Sequence, residues 1–84
     1  MTKAILTDDM TVEQKVIALA NDAARCFVDE FGEPLHPAHT DWDSAAWETD
    51  LSEIRDGLSH DDIGRLWDIY QAALVLETHR LVGR

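Results

Sequence analysis

Residues 36–43 read HPAHTDWD, which sets two imidazoles and two carboxylates within eight residues: His36, His39, Asp41 and Asp43. Imidazole and carboxylate ligands at short spacing can share a Zn²⁺ ion. The spacing argues against it here. Histidines that share a helical face stand three or four apart on an unbroken helix, whereas Pro37 interrupts this pair, and no cysteine or further histidine lies near in sequence. The expectation is a pair of solvent-exposed loop histidines, no metal and no cofactor.

The other titratable groups have structural explanations. His60, Asp61 and Asp62 adjoin, but carboxylates at the start of a helix are stabilised by its dipole, so no acid and base pair is implied. Cys26, the sole cysteine, cannot form an internal disulfide and has no activating neighbour, which assigns it to packing in or beside the core. Glu77 is the exception. It falls among Tyr70, Ala73, Leu74 and Leu81 in an apolar stripe, where an unpaired charge is expensive. It therefore requires Arg80, Arg25 or Tyr70 as a partner, or a place in an interface. No second titratable group stands with it, and neither a glycine-rich phosphate loop nor a Ser, His, Asp arrangement is present. The expectation is a protein that is not an enzyme.

Charge is the remaining signal. Seventeen Asp and Glu against seven Lys and Arg give a formal charge of −10, which repels nucleic acid and anionic membranes and favours a basic partner. The acids are densest between Asp41 and Asp62, where Arg55 is the sole Lys or Arg. On a helix over this stretch, Asp43, Asp50, Glu53 and Asp56 sweep one side next to Trp47 and Leu51. Asp43 and Asp50 would then lie roughly 10 Å apart, a spacing that a groove built for successive phosphates accepts. Trp42, at the edge of this stretch, is the candidate aromatic anchor.

The elements that must position these groups follow from hydrophobic periodicity. Residues 59–83 organise the rest: Ile63, Leu66, Trp67, Tyr70, Leu74 and Leu81 share a stripe that Ile69, Ala73 and Leu76 widen beyond what one neighbour covers. Ser59 with Asp62 makes a capping box for a helix over 60–82, whose far end carries His79, Arg80 and Arg84. Thr11 with Gln14 makes another, opening a helix over 12–31 that Gly32 and Pro34 stop. Met1 to Met10 has no continuous apolar run and does not read as a signal peptide. After the loop 33–41, a helix over 43–56 carries Trp47, Leu51 and Ile54; Thr40 with Asp43 would make one cap for it, and Asp43 as N-cap with Trp42 against Trp47 as a hydrophobic staple is preferred.

Three amphipathic helices in this order make an all-α three-helix bundle of one domain, 1–84, complete in itself or closed by homodimerisation. No window approaches the roughly 18 apolar residues of a membrane span, and a cytoplasmic location is the default expectation. The leading functional expectation is a non-enzymatic module that inhibits or regulates a basic nucleic-acid-binding protein by presenting an anionic, nucleic-acid-mimicking helix face. Small inhibitors carried by phages and mobile elements, anti-restriction and anti-CRISPR proteins among them, work in this general way. Its contact residues would be Trp42, Asp43, Asp50, Glu53 and Asp56. The alternative is a homodimeric assembly protein with a purely solubilising acidic surface and an interface of Ile69, Ala73, Leu76, Glu77 and Arg80.

Overall fold

The last helix sets the dimensions of the molecule. In the computed structural model, which describes residues 6–7, 9–36 and 39–83 (of residue 40 the backbone alone), α1 spans Val12–Phe31, α2 Thr40–Leu51 and α3 His60–Gly83. Met1 to Ile5, Pro37 and Arg84, to which expectations were attached above, lie outside the described residues. At about 1.5 Å per residue the 24 residues of α3 account for the whole 35 Å long axis. Leu66, Tyr70, Leu74 and Thr78, each four residues from the last, are fully buried along it. Facing them, α1 buries Val16, Leu19, Ala20, Ala23, Ala24 and Phe27, and its alanines leave room for the larger side chains of α3.

The order of contacts fixes the directions. Glu13 meets Arg65 near the start of both helices, and Leu35, just past α1, meets Thr78 near the end of α3, so α1 and α3 run parallel. Between them α2 runs back, Asp43 reaching Gln71 and Trp47 packing on Trp67. The result is a three-helix bundle with no strand among the described residues. No helix among them is long and apolar enough to cross a membrane.

Both capping boxes are formed. Gln14 N–H donates to Thr11 Oγ1 at 3.1 Å and Thr11 N–H to Gln14 Oε1 at 2.8 Å. Asp62 N–H donates to Ser59 Oγ at 3.2 Å and Ser59 N–H to Asp62 Oδ2 at 3.3 Å, which holds the Asp62 carboxyl below the usual carboxylate range. Gly32 closes α1 in the left-handed region at φ 70°, its N–H bonded to Val28 O at 2.8 Å.

Helix α2 departs from the expected 43–56 at both ends. It starts at Thr40, with His39 in the N-cap position, because Trp42 sits edge-on against Phe27 and Asp43 pairs with Gln71, contacts that require the helix already to be in register. Asp43 is thus no cap. The helix stops at Leu51 because its ladder tightens: Glu53 N–H bonds Asp50 O and Ile54 N–H bonds Leu51 O, each three residues back. The hydroxyls of Thr49 and Ser52 compete for the carbonyls of Ala45 and Thr49 in the same turns. Ile54 and Leu58 still pack on the core, from turns that end through Gly57 at φ 82°.

Candidate functional site

The register of α2 decides which carboxylates are available to a partner. Asp43, Trp47 and Leu51 recur every four residues on the buried side, so Asp43, 3% exposed, belongs to the core stripe and accepts from Gln71 Nε2 at 3.1 Å. Asp50 accepts from the Tyr70 hydroxyl at 2.7 Å. Burial together with the Asp50 carboxylate drives the Tyr70 phenol far above its usual range. The expected single flank of Asp43, Asp50, Glu53 and Asp56 is therefore divided: the first two turn inward to α3, and the last two are exposed but lie past the end of α2.

A different pair replaces them. Asp41 and Glu48 are seven residues apart, about two turns, and both are exposed on the outer side of α2. They stand roughly 10 Å apart along the axis. Glu53 and Asp56 are exposed in the turns that follow, and Arg55 is the sole Lys or Arg between Thr40 and Asp62. The sequence signal for Asp41 and Glu48 was their seven-residue spacing. It was obscured by starting the helix three residues too late.

Next to Glu48 lies a groove with an aromatic wall, in which Trp67 is half-buried and Trp47 buried. Ser44, Trp47, Glu48, Ile63, Gly64 and Trp67 line this shallow groove, in which the two indoles lie 5.7 Å apart. A Cβ added at Gly64 would meet nothing within 4 Å, so the space beside this residue is open. Trp42, expected as a protruding anchor, is half-buried with its ring edge-on to Phe27 at 5.0 Å. It borders a second groove with Ala23, Cys26, Ala45, Ala46, Thr49 and Asp50. Cys26 is exposed at that rim and outside the core, and partial burial with the acids Asp22 and Asp29 pushes its thiol up, away from reactivity.

The residues expected at a dimer interface are brought together. Ile69, Ala73, Leu76, Glu77 and Arg80 line one apolar groove with Ile17, Asn21 and Ala72. Leu76 is 71% exposed there and Ile17 41%. Glu77 has the partner its position required: Arg80 clasps it through two bonds of 2.8 and 2.6 Å and holds its carboxyl below the usual range.

Of the two histidines expected to be solvent-exposed in a loop, His36 is exposed, whereas His39 stands at the N-cap of α2 and is mostly buried against Phe27 and Phe31, and the two are gathered. His36 Nε2 lies 2.9 Å and His39 Nε2 3.4 Å from the same oxygen, Glu33 Oε1. Glu33, three residues before His36, is the member that sequence reasoning missed. The fold and these surfaces define an acidic all-α bundle. Comparison with protein-family models, curated proteins and solved structures gives no match, so what it does must be argued from its own residues.

Proposed function

We propose that the chain is a non-enzymatic binding module that occupies the basic surface of a nucleic-acid-binding protein and thereby inhibits or regulates it. One observation carries the reading: Asp41 and Glu48 project from the outer side of α2, Glu53 and Asp56 follow in the exposed turns, and Arg55 is the sole Lys or Arg in that stretch. Two carboxylates about 10 Å apart are compatible with a surface shaped for phosphates. The indole-lined groove beside Glu48 suits an arginine, whose guanidinium can pair with the carboxylate and stack on an aromatic face. Small phage-borne and mobile-element inhibitors of restriction and CRISPR systems are the class that such a surface brings to mind.

The test is capture from nuclease-treated host lysate by the immobilised chain. The retained protein is expected to bind nucleic acid, to be displaced by duplex DNA or RNA, and to elute as salt rises. Asp41→Lys with Glu48→Lys should weaken retention by about tenfold or more, because rim charges govern association rates. Retention that ignores the charge reversal and persists at about 0.5 M salt, where screening is nearly complete, would overturn the reading.

A second reading has its own observation, the groove of Ile17, Ile69, Ala73 and Leu76, whose exposed leucine a lone chain leaves in water. On this reading the chain is a homodimer and its acids only keep it soluble. The two readings differ in the sign of their salt response.

A further inference from the structure

We propose that Glu33, His36 and His39 form a site for a divalent transition-metal ion of the zinc type, which fastens the end of α1 to the start of α2. One atom from each residue, two imidazole nitrogens and a carboxylate oxygen, lie within 4.8 Å of one another. Zinc bound at its usual distances of about 2.0–2.2 Å holds tetrahedral ligands roughly 3.4 Å apart. The separations of 2.9 and 3.4 Å from Glu33 Oε1 to the two Nε2 atoms are already on that scale. An ion replaces the His36–Glu33 hydrogen bond and the close approach of His39 to the same oxygen, and the remaining coordination position is left to water.

The ligands stand on supports that do not depend on the ion. Leu35, between Glu33 and His36, is 3% exposed, and its N–H is bound to Thr78 Oγ1 of α3 at 3.0 Å. His39 is held by rings: Phe27 lies edge-on at 4.8 Å and Phe31 at 5.2 Å. Its side chain is 16% exposed, whereas Glu33 and His36 are about half exposed and give the ion a way in. Two imidazoles favour zinc, cobalt or nickel over calcium or magnesium, which select oxygen ligands. Among the described residues, buried His39 Nδ1 has no hydrogen-bond partner, so none of them supplies the outer acceptor that usually orients a ligating imidazole. Affinity should accordingly fall below that of a closed four-ligand zinc site.

The experiment is titration of the full chain with Zn²⁺ by calorimetry, with Co²⁺ followed by its visible absorption, and with Ca²⁺ as the oxygen-seeking control. Expected are one saturable equivalent of Zn²⁺, a nitrogen-ligated Co²⁺ spectrum, no comparable Ca²⁺ binding, and a Tm raised by zinc. His36→Ala and Glu33→Gln, both at exposed positions, should each keep the metal-free Tm and lose affinity by about tenfold or more, since even an outer partner is worth that much. Zinc binding of equal strength in both variants would place the ion elsewhere and overturn the proposal. So would no saturable binding below about 100 µM, a free energy weaker than roughly 5.5 kcal/mol.

Discussion

At the scale of single residues, the telling group is Tyr70. Its ring is fully buried between Trp47, at 4.9 Å, and Trp67, at 6.3 Å, and its hydroxyl donates to Asp50 at 2.7 Å. An ionised phenolate there would lose hydration and face a carboxylate, so the folded chain holds the phenol proton more tightly than the unfolded chain does. A pKa raised by folding contributes stability that is complete below the unfolded value, near 10, and is lost as pH climbs past it. Denaturant unfolding followed from pH 8 to pH 12 should therefore show a flat region and then a fall of up to about 1.4 kcal/mol per unit. Tyr70→Phe should abolish this tyrosine's part of the fall and lower stability at neutral pH by about 1–3 kcal/mol, because a part-buried hydrogen bond to a charged group is lost. An unchanged alkaline slope in that variant would mean that the phenol is free to ionise in the fold. Asp50 is thus held by the core, and its substitution acts on stability before it acts on any partner.

At the scale of elements, α1 and α3 were legible because each carries its own start and stop signals and a long apolar stripe. Thr11 with Gln14, Ser59 with Asp62, and Gly32 all act locally, and local interactions are what a sequence displays. Helix α2 was legible as an element but not in its bounds. Its start goes with Trp42 on Phe27 and Asp43 on Gln71, contacts across the fold that no local pattern encodes, and its stop with the tightened turns after Asp50. The late start left Asp41 outside the helix, while Asp43, four and eight residues before Trp47 and Leu51, shares their buried stripe wherever the helix begins. Thr78 was missed for a similar reason. As one polar residue on an apolar stripe it looks neutral, yet its hydroxyl accepts from Leu35 N–H at 3.0 Å and donates to Val75 O at 2.9 Å in a fully buried position. It ties the α1–α2 connection to α3. Thr78→Val keeps the shape and strands the Leu35 amide, at an expected cost of about 1–3 kcal/mol. For a domain of this size each kcal/mol lowers Tm by about 4–8 °C, a shift that calorimetry reads directly. Thr78→Ser, which retains both bonds, should lose less, and equal losses would assign the effect to packing alone.

At the scale of the whole molecule, two surfaces carry opposite physics. On the proposed reading the outer side of α2 would attract a basic partner through charge, whereas the groove around Leu76 would attract a second copy through apolar area. A second copy must approach against a formal charge of −10 on each chain, which weakens association whenever the field reaches across the interface. The screening length is about 30 Å at 0.01 M salt and about 8 Å at 0.15 M, while the molecule measures 35 × 24 × 18 Å. At low salt the full repulsion is therefore felt, and at physiological salt it is confined to the rim. There Glu77 and Arg80 of each copy can exchange partners across a two-fold axis. Self-association through this groove should consequently strengthen as salt rises from about 0.01 to 0.15 M, whereas capture of a basic partner by Asp41 and Glu48 should weaken over the same range. Sedimentation equilibrium of the chain alone at the two salt concentrations measures the first. Leu76→Asp should leave a monomer at both, and a wild-type chain that stays monomeric at every salt concentration would remove the groove as an interface between copies.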